Sequence, residues 1–485
     1  MRLQELLSKV TVKSLGGPHS QMDPEIRSIE YDSRRVKNGS FFFAIEGTLT
    51  DGHLYLDEAL QKGAAAVASE REAPAGFPVP WIQVETVRAF LALLADRFYD
   101  YPSQRLQLAG VTGTNGKTTT AFLIHSILEQ QSPALRLGTI KTKVGDWEVE
   151  SGLTTPEAVD IQRTLAQALQ SGCRTGALEV SSHALFLHRV YRCHFPVAIF
   201  TNLSQDHLDF HSSLEEYFQA KCLLFQSDYN PGLKHAVLNA DDPFSARIQL
   251  PPHTHQVTFG FSENSEVHPL AHKTSVEGTE VDLKFFDQHL SLSSRLAGEY
   301  NLYNMMAAAT AASLLGIPDD QIREGVARLR RVPGRFEKVE IGHLFTVIVD
   351  YAHTPNALEN VLKLCRQLSR GRVLCVFGCG GDRDRAKRPL MGAIAVRDAD
   401  LAIVTSDNPR YEDPEKIIQE IRVGIPAGFS NCEIIVDRRE AIARALKLAQ
   451  KGDIVLVAGK GHEAYQEIQG KRIRFDDREV IKEIH

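Results

Sequence analysis

The chain has 485 residues, 43% hydrophobic and 24% charged, with 55 Lys and Arg against 61 Asp and Glu for a formal net charge of -6. This is ordinary globular usage, which excludes disordered and collagen-like classes, and at roughly 150 residues per domain it implies about three domains. No basic excess exists to drive non-specific nucleic-acid binding, so no nucleic-acid partner is expected, although a local phosphate site is compatible with the balance.

The seven cysteines are scattered and form no C-x-x-C pair, which argues against a zinc ribbon or a redox motif. They read as free core thiols suited to a reducing cytosol. The N-terminal M-R-L-Q-E-L-L-S-K-V has helical spacing and lacks the apolar segment of a signal peptide. With no apolar run long enough for a bilayer, the expected location is cytoplasmic, without membrane contact.

In chain order, residues 1–102 form the first unit, with a strand at Ser40–Ile45 and a helix-and-strand alternation through Ala64–Val67, ending at the break Tyr101-Pro102-Ser103. Residues 103–331 form the second. Its strand Leu106–Val111 leads through a Gly- and Thr-rich loop into a helix at Thr119–Glu129, with Phe122, Leu123, Ile127 and Leu128 on the apolar side. Strands follow at Thr175–Val180 and Val197–Thr201, then mixed β character over 254–298 and an Ala-rich helix at Asn304–Leu315. Arg331-Val332-Pro333-Gly334-Arg335 breaks the chain again. In residues 332–485, apolar strands at Val373–Phe377, Leu401–Thr405 and Ile454–Val457 run into the loops G-C-G-G-D-R-D-R, S-D-N-P-R and A-G-K-G-H-E. Ligands of parallel α/β sheets bind beyond the carboxyl ends of strands, so these loops predict one crevice. The fold class is α/β, in three domains.

Thr112-Gly113-Thr114-Asn115-Gly116-Lys117-Thr118 lies between a predicted strand and a predicted helix. Its glycines admit close approach of backbone N–H groups to a polyphosphate, Lys117 reaches the outer phosphates, and the Thr118 hydroxyl suits a magnesium ion. A full Walker A would have glycine where Val111 stands, so the loop is a shortened form, G-T-N-G-K-T. A nucleotide and Mg2+ are the ligands expected here.

The loop resembles that of the Mur ligases and the related folylpolyglutamate synthetases, which join an amino acid to a carboxylate through an acyl-phosphate. Further motifs match in order: D-S-R at Asp32–Arg34, T-T-P at Thr154–Pro156, E-V-S-S-H at Glu179–His183 and T-N-L-S-Q-D-H-L-D-F-H at Thr201–His211. Y-F-Q-A-K at Tyr217–Lys221, G-E-Y-N-L-Y-N at Gly298–Asn304, D-Y-A-H-T-P at Asp350–Pro355, D-N-P-R and G-K-G-H-E complete the set. Together they are similar to the branch of the Mur ligase family that adds the third residue of the peptide.

The resemblance implies an N-terminal UDP-binding domain, a central P-loop ATPase domain and a C-terminal Rossmann-like domain. It implies ATP contacts from Gly113, Thr114, Asn115, Gly116, Lys117, Thr118, Thr119, Asn301, Arg335 and Asp350, with His353 able either to join them or to orient its turn. Magnesium would be held by Thr118, Glu179, His207 and Lys221, the last as a CO2-derived carbamate; Lys117, Glu179, His207 and Lys221 are the implied catalytic group. His207 and His211 at i, i+4 invite a zinc reading, but no H-E-x-x-H accompanies them, and His211 reads as packing on a loop. Tyr31, Ser33, Thr48, Leu49 and Thr50 would meet the UDP end of a UDP-muramoyl-dipeptide. Thr154, Thr155, Ser181, Leu187 and Arg189 would meet its dipeptide end, Leu187 standing two residues before Arg189 where the family often has Gln.

For the incoming amino acid the implied contacts are Arg383, Asp407, Asn408, Pro409, Arg410, Gly459 and Glu463. meso-Diaminopimelate differs from lysine by a distal carboxylate, which a guanidinium binds bidentately. Arg410 is the leading candidate, Arg383 a second, and Glu463 suits an ammonium. The bland reading of Arg410 is a surface pair with Glu412 or Asp413. Alternatives within the class are lysine addition and a folylpolyglutamate-synthetase-like ligase; outside it, a nucleotide-binding module. The partners expected are small molecules, acting on a monomer.

Overall fold

The computed structural model describes every residue except 9, 17–19, 48, 49, 343 and 485, so Thr48 and Leu49 lie outside the described residues. Among the described residues three large sheets follow one another along the chain, each flanked by helices, with a fourth, two-stranded sheet at the hairpin Tyr465–Arg474. The first, over residues 14–83, has five strands, of which Ser28–Glu30, Ser40–Phe43, Ala64–Ser69 and Trp81–Gln83 run parallel. Among the described residues no helix is long and apolar enough to cross a membrane.

The second sheet has eleven strands. At its heart Gln107–Thr112 pairs in parallel with Thr175–Glu179 on one side and Val197–Phe200 on the other. Antiparallel hairpins extend both edges, over 141–150 and 267–294. The chain reverses its direction of sheet growth beside Gln107–Thr112, and the crevice at such a switch point is where a doubly wound sheet binds its ligand. The glycine-rich loop opens there. Helix Lys117–Leu128 follows it and is buried on all sides from Thr118 to Leu128, not on one apolar face as the periodicity suggested. It is sandwiched between the sheet and the helices Glu299–Leu314 and Asp319–Arg328. Against the latter it packs so closely that a Cβ on Gly325 would stand 2.3 Å from Ile127 Cα. The Ala-rich helix likewise begins at Glu299, five residues before the expected Asn304, because Gly298 at φ +99° supplies its start. The G-E-Y-N-L-Y-N segment is therefore helical.

The third sheet has six strands, parallel except Glu337–Val339 at one edge. Val373–Phe377 and Ile454–Ala458 are buried at every residue, as expected of central parallel strands covered on both faces. All seven cysteines are free; six are buried and Cys432 is half-buried.

Candidate active site

The phosphate loop is built by backbone and small side chains. Gly113 and Gly116 have φ +145° and +89°; a Cβ on Gly113 would fall 1.9 Å from Thr201 Oγ1, and one on Gly116 2.5 Å from Asn304 Oδ1. Only glycine fits both positions. The loop is fastened to the segment after Val197–Phe200: Thr114 N donates to Asn202 O at 2.8 Å, Asn115 N to Asn202 Oδ1 at 2.9 Å, and Thr201 Oγ1 to Asn115 O at 2.6 Å. Lys117 folds back so that its Nζ donates to Gly113 O and Thr114 O, both at 2.9 Å. Burial pushes its pKa down.

A cavity of about 520 Å³ opens between the central and C-terminal sheets. Its central wall carries Thr114 to Thr119, Thr139, Thr154, Glu179, Ser181, His207 and Lys221; its other wall carries Arg335, Asp350, Tyr351, His353 and Asn356. Glu179, at the end of its strand and 1% exposed, accepts from Thr118 Oγ1 at 2.8 Å, Thr139 Oγ1 at 2.9 Å and Thr139 N at 2.8 Å. Lys221 is also 1% exposed, so it is no solvated surface lysine. Its Nζ donates to Gly113 O at 2.8 Å and lies 4.2 Å from the centre of the Tyr217 ring. Burial, reinforced by the Lys117 charge, pushes its pKa well below the usual lysine range. From the far wall, Arg335 Nη2 donates to Thr118 Oγ1 at 3.2 Å, its guanidinium packed on the Tyr351 ring. Asp350 is occupied by the N–H groups of Phe336 and Ala352.

Several expected contacts stand back from this cavity. Asn301 is buried behind its wall, donating to Ala297 O at 2.8 Å and accepting from Asn304, which takes the wall position. Thr155 donates to Glu179 O at 2.7 Å, while Arg189 donates to Thr155 O at 3.0 Å and pairs with Glu157 at 2.8 Å. Leu187 is the half-buried cap of the helix Ser182–Phe186. Tyr31 donates to Asp160, Ser33 is buried against Glu58, and Thr50 meets Tyr55, all on the N-terminal unit or its seam with the central one.

The three C-terminal loops come together at the ends of their strands. Asn408 Nδ2 donates to Glu463 Oε2 at 2.7 Å, and Asn408 Oδ1 accepts from the buried Lys460 at 3.1 Å. A Cβ on Gly459 would lie 2.5 Å from Asp407 Oδ2. Arg410 Nη1 donates to Gly381 O at 2.6 Å, so the suggested surface pairing with Glu412 or Asp413 is wrong. Glu412 is engaged by Arg388, and Asp413 caps the helix Pro414–Val423. Arg383 is exposed, donating to Asp382 O. This loop cluster meets the cavity at Tyr351, whose hydroxyl reaches Glu463 Oε1 at 3.5 Å.

Three family sequence models cover most of the chain: the Mur ligase family catalytic domain over residues 25–99, the Mur ligase middle domain over 111–312 and the Mur ligase glutamate ligase domain over 334–461. A relative named UDP-N-acetylmuramoyl-L-alanyl-D-glutamate--2,6-diaminopimelate ligase, from Syntrophomonas wolfei, is 44% identical over 100% of this chain and 99% of its own. The chain belongs to the Mur ligase family. A relative of the same name from Bacillus licheniformis is 45% identical over 99% of both chains. A solved structure under that name superposes with TM-score 0.69 at 33% identity, covering 100% of this chain and 98% of its own. A Mycobacterium tuberculosis folylpolyglutamate synthase, at 17% identity, TM-score 0.60 and coverage of 75% and 91%, shares the fold.

Further residues of this Mur ligase bear on the cavity's electrostatics. Asp206 is 8% exposed; although burial opposes it, His207, His353 and Lys387 pull its pKa down to about 2. Burial drives His207 and His353 down to about 4, so both are neutral near pH 7. His353 Nδ1 pairs with Tyr351 O at 2.8 Å, which orients the turn, while its Nε2 stands 4.0 Å from Asp206. His211 is buried, with Nε2 3.0 Å from Ser182 Oγ, and packs on Tyr217. Among the described residues no three His, Cys, Asp or Glu side chains group to cage a metal. The oxygen donors Thr118 and Glu179 suit a hard ion such as Mg2+, which keeps water and phosphate ligands instead of a full protein cage. Asp206, Asn202, Asn304 and Tyr351 fall inside the motifs read from the sequence, and the carboxylate beside His207 was a usable signal. Thr139, a lone threonine after Ala134–Leu137, offered none.

Proposed function

We propose that this Mur ligase joins meso-diaminopimelate to the D-Glu γ-carboxylate of UDP-N-acetylmuramoyl-L-alanyl-D-glutamate, splitting ATP to ADP and phosphate, in peptidoglycan precursor synthesis. The observation that carries the reading is the junction at Tyr351, where the loops bearing Asn408, Arg410 and Glu463 adjoin the cavity that holds the phosphate loop. A nucleophilic amine bound among these loops therefore adjoins the site of carboxylate activation.

The γ-carboxylate attacks the terminal phosphorus and ADP leaves. The amine then adds to the acyl carbon, phosphate departs and the amine loses a proton. The obstacle in the first step is repulsion between anions, which positioned cations and donors reduce. Lys117 and Arg335 provide them from opposite walls, and the amides of Gly116 to Thr119 at the start of the helix cradle the phosphates. Magnesium held by Thr118, Glu179, His207 and Lys221 as carbamate would neutralise further charge when bound. The buried Lys221 amine, pushed towards its neutral form, is the form that adds CO2. Asp350 and the Asn301–Asn304 pair hold the nucleotide side.

Thr154 and Ser181, on the cavity wall with Glu179, take the dipeptide end, with Thr155, Leu187 and Arg189 behind them. Tyr31, Ser33 and Thr50 take the UDP end. Asp407, Pro409 and Gly459 shape the crevice in which Arg410 and Arg383 read the distal carboxylate and Glu463 the ammonium. The working units are residues 1–102, 103–331 and 332–485. Cavity and crevice are assembled within one chain, which supports a monomer, and the nucleotide substrates support a cytoplasmic location.

Heavy-oxygen labelling of the γ-carboxylate tests the chemistry: labelled oxygen should appear in the released phosphate, only when amino acid and ATP are both present. Unlabelled phosphate contradicts the acyl-phosphate.

A further inference from the structure

The loop Gly380–Arg383 and the loop Asp407–Glu412 leave neighbouring parallel strands. They meet backbone to backbone: Gly381 N donates to Asn408 O at 2.9 Å, and a Cβ on Gly381 would fall 2.0 Å from Pro409 O. Each contains a non-glycine residue in the left-handed region, Asp382 at φ +50° and Arg410 at φ +51°. Such conformations persist where the surroundings over-determine them. The hairpin Tyr465–Arg474 supplies part of that hold, Arg410 N donating to Glu467 O at 2.9 Å and Gln469 N to Arg410 O at 2.6 Å.

Tyr411 N adds a bond to Asp382 Oδ2 at 3.2 Å, and a buried clamp comes from Arg388, whose side chain is 0% exposed. Its Nη2 donates to Gly380 O at 3.1 Å and Glu412 Oε1 at 2.7 Å, and its Nη1 to Glu412 Oε2 at 2.9 Å and Glu420 Oε2 at 2.8 Å. Glu412 Oε1 also accepts the N–H of Asp382 at 2.5 Å. One guanidinium and one carboxylate thus bind both loops to each other, and neither lines the cavity.

We propose that Arg388 and Glu412 are positioning residues that set the spacing of Arg383 and Arg410 and thereby select an amino acid carrying a second carboxylate. The inference rests on the amino-acid site assigned above. Bidentate recognition of a carboxylate is directional, so small displacements of a guanidinium weaken it. Lysine offers no distal carboxylate, so its use does not depend on that spacing. A lysine in place of Arg388 would be a point charge unable to span Gly380 and both Glu412 oxygens. A buried ion pair serving stability alone would instead affect all substrates alike.

Glu412→Gln and Arg388→Lys in the full chain test this, with KM and kcat for meso-diaminopimelate, L-lysine and ATP, and melting temperatures. In Glu412→Gln the diaminopimelate KM rises about tenfold, kcat and the ATP KM stay within about twofold, and preference over lysine falls about tenfold. Should Arg388→Lys fail to fold, Glu412→Gln decides, since it retains the Arg388–Glu420 pair and an acceptor for Asp382 N. A folded Glu412→Gln enzyme with wild-type selectivity, or equal losses towards all three substrates, overturns the proposal. Wild-type preference is read in the same assay. A wild type preferring lysine refutes the substrate assignment, and with it selection by a second carboxylate; a diaminopimelate-preferring wild type with an unchanged variant refutes the clamp alone.

Discussion

The phosphate loop takes its shape from two glycines in positive φ, with Thr201, Asn202 and Lys221 from remote segments bonded to its backbone. The loops proposed to hold the amino acid rely instead on charged side chains and a neighbouring hairpin: Arg388 on a following helix, Lys460 on another strand's loop, and a hairpin some sixty residues on, counted from Arg410 to Gln469. The first device makes a site for a ligand common to many enzymes and tolerates little change. The second, on the proposed assignment, lets side-chain substitutions retune which amino acid enters while the chemistry stays intact.

Lys117→Ala gives the largest effect expected, a loss of about a thousandfold in phosphate release with the fold retained; circular dichroism alongside the assay checks it. Lys221→Ala falls close behind, by about a hundredfold or more, and short carboxylic acids added to the assay should restore part of the activity. Full activity without rescue would remove the carbamate from the account. Arg410→Lys should raise the diaminopimelate KM about a hundredfold while the ATP KM stays within about twofold. Equal changes in both would break the separation of the two ends.

That separation explains what was legible in the sequence. Gly113, Gly116 and Lys117 sit within one short motif, because the backbone that binds also carries the signature. The strands Val373–Phe377 and Ile454–Ala458 were legible as apolar runs, since both faces are covered. The start of the helix at Glu299 was missed because its motif reads as polar, although Gly298 caps it. Asn301 matched a ligand position, yet it supports Asn304 from behind. Arg388 and Glu412 had no local signal: a charge pair 24 residues apart in sequence looks like two surface residues until the fold buries one of them.

Acidification should also act unequally on the carboxylates. Burial and the Asp407 charge raise the pKa of Glu463, so as pH falls it gains a proton before an exposed glutamate would, and the neutral acid no longer pairs with an ammonium. Arg388 holds Glu412 down to about 2 and Asp206 is likewise held at about 2, so both stay ionised. The diaminopimelate KM should therefore rise between about pH 7 and about pH 5 with the Arg388–Glu412 pair intact, and because burial also raises the pKa of Asp350 the ATP KM should rise with it; a diaminopimelate KM flat over that range would contradict this. The smallest effect belongs to Glu420→Gln, which leaves Arg388 its two bonds to Glu412 and should change the diaminopimelate KM by less than about twofold.

The most direct test of the central claim is a competition assay: ATP, UDP-N-acetylmuramoyl-L-alanyl-D-glutamate, and equal meso-diaminopimelate and L-lysine, with the products separated by mass. The account predicts the diaminopimelate tripeptide in about a hundredfold excess, because lysine carries no distal carboxylate for Arg410 and Arg383 to bind. A lysine tripeptide in equal or greater amount would contradict the assignment of Arg410, while leaving the phosphate chemistry at the other end untouched.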